Sequence, residues 1–469
     1  MKSATVSALV WATAASAITV KPSDANSIKD AAKSVAKNLV SYYHGAEPGK
    51  TPGILPGPPP DGDFYWWESG AMWNTLIEYW HYTGDSTYND LVTQGTLWQV
   101  GPANAYMPYN QTAMLGNDDQ GFWGMAAMTA AETGLTNPST KPDTQWLALA
   151  ENVFATFAHP LRWNDKDSCG GGLRWQIVPA NIGYDYKNSG STGAMFNLAA
   201  RLARHTNNAT YAAWAEKTWA WMESVGYLDQ GDIYDGAHVR TNCTDINRIQ
   251  FSYIAGIFAQ GAAYMYNHTN GSAVWEGRLA TLVNATSLAF FDDSGNGTGT
   301  GTGIAIERSC EGYGNCSIDM LAMKGILLRG LASVVKLAPF TRGQVAPLLG
   351  ATAVGAGAAC DAEGRCGFEW GAGVSGANET YGAGQQMNAL SALSVLLVDD
   401  AAAPPTNGVA HGGSGGDGGI GSQTPTTGAP TGKPTNADKS GAGMTADRAG
   451  AGFMVATSVL TVVFAALLA

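Results

Sequence analysis

The stretch NDDQGFWGMAAMTAAE, residues 117–132, opens with two adjacent carboxylates among polar residues and then carries small and apolar side chains on most faces. A helix written this way is buried all round, and only its N-terminal end is left for polar work. Five other stretches share the pattern: YWWESGAMWNTLIEYW (65–80), KNSGSTGAMFNLAARLA (187–203), RIQFSYIAGIFAQGAAYMY (248–266), CSIDMLAMKGILLRGLASVV (316–335) and TYGAGQQMNALSALSVLL (380–397). Between them lie amphipathic segments such as SIKDAAKSVAKNLVSYY (27–43) and TYAAWAEKTWAWMESV (210–225). Spacing at i, i+3, i+4 outweighs strand-like alternation throughout. The pattern predicts about twelve helices, starting near residues 25, 66, 87, 119, 144, 191, 210, 249, 273, 317, 341 and 383. The expected fold is therefore all-α, an (α/α)6 barrel in which the even-numbered helices form an inner ring wrapped by the amphipathic, odd-numbered ones. Parallel inner helices would gather their polar, aromatic N-terminal ends on one face, where a groove belongs. Those ends also supply free N–H groups and positive dipole, a setting that favours carboxylates.

The pair Asp118 and Asp119 has two readings. One is a helix start, with Asn117 or Asp118 as N-cap and Asp119 complementing the dipole. The other is catalytic, because a glycosidase needs one carboxyl group to attack the anomeric carbon or activate water and a second to protonate the leaving oxygen. Neighbouring residues reach the roughly 5–5.5 Å carboxyl separation of a retaining enzyme more readily than the roughly 6.5–9.5 Å of an inverting one. Side chains of consecutive helical residues point about 100° apart, so both serve one sugar only at an irregular helix mouth. Close approach of two negative charges raises one pKa and keeps a proton for the acid role. The polar, aromatic starts of the companion stretches favour the catalytic reading.

Residues 1–17, with one early Lys, a short apolar run and an Ala-x-Ala ending, read as a secretory signal peptide. Residues 18–400 are expected to form the functional domain, 401–440 a flexible Gly/Pro/Thr-rich stalk, and 441–469 a GPI-attachment signal removed on processing. The terminal apolar run is short for a bilayer span and lacks a basic flank. Of the six cysteines, Cys310 and Cys316, and Cys360 and Cys366, are each close enough for a local loop, and the expected remaining pair is then Cys169–Cys243. Sequons stand at Asn110, Asn208, Asn242, Asn267, Asn270, Asn284, Asn296, Asn315 and Asn378, in keeping with export. A net charge of −12, with no Lys/Arg-rich patch, argues against nucleic acid as a partner. No metal spacing, nucleotide motif or redox cofactor motif is present in the sequence, so no cofactor is expected. The 15 Trp and 18 Tyr suit stacking on sugar rings as well as core packing.

These segments, with CGGGLRWQI (169–177), resemble glycoside hydrolase family 76, the endo-α-1,6-mannanases, and in particular its GPI-anchored fungal cell-wall members. The resemblance covers nearly all of the mature domain. It implies an (α/α)6 barrel, a retaining mechanism, Asp118 as nucleophile and Asp119 as acid/base. In similar fungal proteins the proposed activity is transglycosylation, with a GPI-glycan or α-1,6-linked mannoside as donor and β-glucan as acceptor. A plain hydrolytic mannanase and a catalytically inactive wall lectin or structural protein are the alternatives. A monomer held at the plasma membrane or wall by a GPI anchor is expected. Glu68 departs from the neutral amide expected in the WWxxG segment, which bears on contacts there and not on the catalytic pair. Trp66, Trp67, Trp123 and Trp175 are candidates for stacking on mannose, with at least half of them expected in the core. Asn117, Gln120, Gln176, Tyr186 and Asn188 have the chemistry for hydroxyl recognition. Asp235, in DIYDGAH, is a sugar contact or a turn residue, and Lys187 a surface charge or a ligand.

Overall fold

The protein is described here from a computed structural model covering residues 17–138, 144–292, 302–371 and 380–406. Residues 1–16 of the expected signal peptide, the chain from 407 on with most of the stalk and the attachment signal, and the sequons at Asn296 and Asn378 lie outside the described residues.

Twelve α-helices occur among the described residues. The outer ones are α1 (Ala25–Ser41), α3 (Asn89–Trp98), α5 (Trp146–Ala158), α7 (Ala209–Ser224), α9 (Ala273–Phe290) and α11 (Arg342–Ala358). The inner ones are α2 (Trp66–Thr83), α4 (Asn117–Thr133), α6 (Ser189–Thr206), α8 (Ser252–His268), α10 (Met323–Leu337) and α12 (Ala383–Ser394). Inner helices pack in a closed ring, α2 on α4, α4 on α6, α6 on α8, α8 on α10, α10 on α12, and α12 back on α2. Their residues are buried almost without interruption, whereas α1 buries only the stripe Ile28, Ala31, Ala32, Val35, Ala36 and Leu39. That contrast is the one written in the sequence: polar faces exist only where a helix meets water.

Most helices start within three residues of expectation. The exception is α10, which is preceded by a 3-10 turn at Asp319–Ala322. Two short antiparallel ribbons are additional to the expected elements. β1 (Tyr186–Asn188) pairs with β4 (Gly236–His238), and β2 (Leu228–Asp229) with β3 (Asp232–Ile233). The first ribbon ties the start of α6 to the loop before α8. All three disulfides join the expected partners.

The two ends of the ring differ. At the end formed by the C-termini of the inner helices, buried ion pairs fill the interior, Arg201 with Glu132 at 2.6 Å and Arg329 with Glu78 at 3.2 Å. Residues after α12 cross this base. Lys336 Nζ donates to the carbonyls of Val398 and Ala401, and Arg204 to those of Pro404 and Pro405. The expected domain boundary at 400 falls inside this segment. Asn267, one of the sequons, is also engaged here, accepting from Arg204 Nε at 2.7 Å.

Candidate active site

At the other end the first turns of the inner helices converge. Trp67 Nε1 of α2 donates to Asp319 Oδ1 beside the start of α10 (2.8 Å), and Asn188 Nδ2 at the start of α6 donates to Asp118 Oδ2 of α4 (3.1 Å). The inner helices therefore run parallel, and the face they begin on collects the polar residues.

The mouth of α4 explains how neighbouring aspartates serve one place. Gly116 is the N-cap, in extended conformation, in place of the expected Asn117 or Asp118. Asp119, at the third helical position, folds back so that its Oδ2 accepts the Gly116 N–H at 2.7 Å. Asp118 Oδ1 accepts the Asp119 N–H at 3.0 Å. Both oxygens lie 2.4 Å from the point a Cβ on Gly116 would occupy, so they are at most twice that distance apart. Any side chain at 116 would displace them. Burial raises the Asp118 carboxyl to about 7, against the pull of the Asn188 and Asp119 N–H hydrogen bonds. Burial, and then the charge of Asp118, push Asp119 well above the usual carboxylate range.

Around the pair stand further carboxyl groups. Asp235 Oδ2 accepts from the Tyr186 hydroxyl (2.7 Å) and Asn247 Nδ2 (3.0 Å), and burial raises its pKa. Its carbonyl accepts the Ser189 N–H at 2.7 Å, so the β1–β4 ribbon carries Asp235 to the start of α6. Asp319 and Tyr253 were not anticipated from the sequence, although each stands, like Asp118, at or just before the first turn of an inner helix. Glu68 is wholly buried. Its Oε2 accepts the Tyr65 N–H at 2.8 Å while Oε1 has no partner among the described residues. Burial, then the charges of Asp319 and Asp63, hold its pKa well above the ordinary value. A protonated acid is neutral and similar in shape to an amide, so the departure from the expected residue is chemically small.

Several candidates turn inward. Trp123 is 0% exposed, stacked between Trp66 and Tyr106, and has no free face for a sugar. Trp66 is buried too, with its Nε1 on Gln99. Gln120 is fully buried, its amide donating to the Ala105 carbonyl and its oxygen accepting from Arg162. Asn117 also accepts from Arg162 and donates to the Arg174 carbonyl. The polar side chains of Asn117, Gln120 and Trp66 point into the ring of helices and satisfy their polar atoms there, while Trp123, a turn further along α4, is held by ring stacking alone with its Nε1 unpaired among the described residues. Lys187 is neither surface charge nor ligand. It is buried, and its Nζ donates to the carbonyls of Ser168 and Gly171, bracing the loop that carries Trp175. Gln176 is buried and accepts from Asn181. Trp67 packs against Phe122 and is nearly covered.

Trp175 remains open to solvent at 39% exposure. Its N–H donates to the Tyr186 carbonyl and its own carbonyl accepts the Asn117 N–H, which fixes it beside the pair. Gly183, at φ +91°, lies against the ring, where a Cβ would come within 2.3 Å. The residues that surround Asp118 and Asp119 are thus Trp175, Tyr186, Asn188, Asp235, Tyr253 and Asp319. A separate cavity of about 490 Å³, bounded by Asp292, Glu307, Glu311 and Glu369, does not include the pair. No cluster of metal-ligating side chains is present among the described residues.

Residues 27–408 match the model of glycosyl hydrolase family 76. The chain is 42% identical to mannan endo-1,6-alpha-mannosidase DCW1 of Saccharomyces cerevisiae, over 86% of each chain. It is 39% identical to mannan endo-1,6-alpha-mannosidase DFG5 of the same yeast, over 81% of this chain and 80% of that one. Among solved structures, Dfg5 from Chaetomium thermophilum in complex with glucosamine superposes with a TM-score of 0.76 at 45% identity, covering 82% of this chain and 94% of that one. An alpha-1,6-mannanase from Salegentibacter sp., in an inactive variant with two adjacent aspartates changed to asparagine and bound to alpha-1,6-mannotriose, shares the fold at TM-score 0.61 and 17% identity, covering 79% and 99%.

Proposed function

The chain belongs to glycosyl hydrolase family 76 and is a glycoside hydrolase, and from that premise we propose that it is a retaining endo-α-1,6-mannosidase acting as a transglycosylase. In this reading it cleaves the mannose core of GPI glycans and passes wall proteins to β-glucan. The observation that supports a retaining mechanism is the approach of one oxygen of each carboxyl group over Gly116, at most twice 2.4 Å apart, short of the roughly 6.5–9.5 Å separation of an inverting pair. Asp118 attacks the anomeric carbon and forms a glycosyl ester, while Asp119 gives its proton to the departing oxygen. Asp119, now a carboxylate, then takes the proton of the incoming hydroxyl as that oxygen displaces Asp118. If the hydroxyl belongs to a glucan the result is transfer, and if it belongs to water the result is hydrolysis.

Burial raises both carboxyl groups and the charge of Asp118 raises Asp119 further, so the pair retains a proton, as the acid role requires. The carboxyl-rich cleft suits a donor bearing an amine, and the Chaetomium thermophilum relative was solved with glucosamine. Trp175, Tyr186, Asn188 and Asp235 are proposed sugar contacts. The names of the yeast relatives, both mannan endo-1,6-alpha-mannosidases, favour the second reading, hydrolysis of wall mannan. We place the protein outside the cell as a monomer, anchored through GPI or attached to the wall, with the leader and the C-terminal apolar run as support.

The test incubates the mature chain with labelled α-1,6-mannotetraose or a GPI-glycan mimic, with and without β-glucan oligosaccharides, and reads products by mass spectrometry. Donor–acceptor hybrids are the expected result, shorter mannosides alone would make it a hydrolase, and binding without cleavage a lectin. Asp118→Asn and Asp119→Asn should each lower turnover by roughly 10³-fold or more, with the double variant no worse, since residues acting as a unit are not additive. Normal turnover in either single variant removes the assignment.

A further inference from the structure

Tyr253 is the second residue of α8, and its neighbours in sequence, Ser252 and Ile254, are fully buried while it stays partly exposed. Its ring leans on Phe122 of α4, with centroids 6.0 Å apart, and the side chain reaches across to the first turn of α6. There Gly190 makes room. A Cβ on that glycine would lie 2.5 Å from the Tyr253 hydroxyl oxygen, and the same point is 3.5 Å from Asn188 Nδ2, the group that donates to Asp118. The hydroxyl has no hydrogen-bond partner among the described residues. Asp118, Asp235, Asp319 and Asp119 all act on it electrostatically and, with burial, keep it protonated. A phenol donor in a gap kept open by a glycine, beside the amide that holds Asp118, is built to meet a ligand oxygen.

We infer that Tyr253 is a substrate-contacting residue of the cleft, whose hydroxyl donates a hydrogen bond to the mannosyl unit that Asp118 attacks. The inference rests on the mannosidase reading above. A hydrogen bond to a sugar hydroxyl strengthens as the ring distorts toward the transition state, so its loss falls on turnover more than on KM. Tyr253→Phe removes only the oxygen and keeps the ring on Phe122. With labelled α-1,6-mannotetraose, kcat should drop roughly 100-fold, the order seen when one preorganised donor is removed, with the melting temperature unchanged. Gly190→Ala should cost a similar factor by pushing the hydroxyl aside. In the Tyr253→Phe background it should add almost nothing, because the ring carbon Cζ sits at an ordinary 3.4 Å from the new methyl. A kcat within about twofold of the parent, or a loss accompanied by a lower melting temperature, overturns the inference. Calorimetric binding of α-1,6-mannotriose to Asp118→Asn, with and without Tyr253→Phe, separates the two readings. A chain that binds but never cleaves mannosides defeats the mannosidase reading, and the Tyr253 contact then stands or falls on whether affinity drops.

Discussion

At the scale of single residues, the cleft is a set of carboxyl groups whose protonation is decided by what surrounds each of them. As the proposed nucleophile, Asp118 has to be ionised, and burial holds its proton up to about 7. For a group raised in this way the active, deprotonated form appears only as pH climbs, so kcat/KM should rise through about 7 on its acid limb. Asp235 is a nearby negative charge that raises Asp118, so Asp235→Asn should move that limb to lower pH. Asn188 donates to the carboxylate form, so Asn188→Ala should move it to higher pH, each by roughly one pH unit. A limb that stays put in both variants would mean that another group titrates there. What the residues alone could say is clear at this scale. Two adjacent aspartates at a helix mouth already suggest the proposed chemistry by their types and spacing. Whether Gln120 or Asn188 faces the same cleft is not written in either residue, because both are amides near a helix start.

At the scale of elements, the barrel depends on inner helices approaching more closely than ordinary side chains allow. Where α8 meets α10, a Cβ on Gly330 would lie 2.2 Å from the Gly256 carbonyl oxygen, and one on Gly256 would lie 2.5 Å from the Leu327 Cα. The obstacle is backbone, which cannot swing aside. Gly330→Ala should therefore destabilise the protein by about 1–3 kcal/mol. Gly277, on the outer face of α9, meets nothing within 4 Å, and Gly277→Ala should stabilise by about 0.5–1 kcal/mol through lower chain entropy. Denaturant unfolding checks both, and equal effects of the two changes would contradict the close-approach account. Helix existence and layer were legible from periodicity, since an all-round apolar helix has only one place to go. The β1–β4 ribbon was not, because three-residue strands carry no period to read, yet it brings Asp235 to the site.

At the scale of the whole molecule, the segment after α12 closes the base of the ring, opposite the cleft. Buried or partly buried Lys336 and Arg204 bind its carbonyls, and Arg342 pairs with Asp399. A chain ending after Thr406 should melt like the full mature protein and keep its activity. One ending after Leu397 should lose stability on the order of 3 kcal/mol, as charged donors are left without their carbonyl acceptors; an unchanged melting temperature would make the segment dispensable. Twelve helices, their division into inner and outer, the two short-range cysteine pairs and the position of the two aspartates are legible along the chain, because burial, local loop closure and helix-start chemistry are local properties, whereas Cys169–Cys243, 74 residues apart, follows only as the pair left over. Only the tertiary structure decided which first-turn side chains share the cleft. Trp67 and Asp319 are 252 residues apart in sequence, and consecutive helical side chains diverge by about 100°. The rotation of each helix within the ring, set by contacts between distant segments, therefore brings Asn188, Asp319 and Tyr253 to the face of the aspartate pair and turns Asn117 and Gln120 into the core.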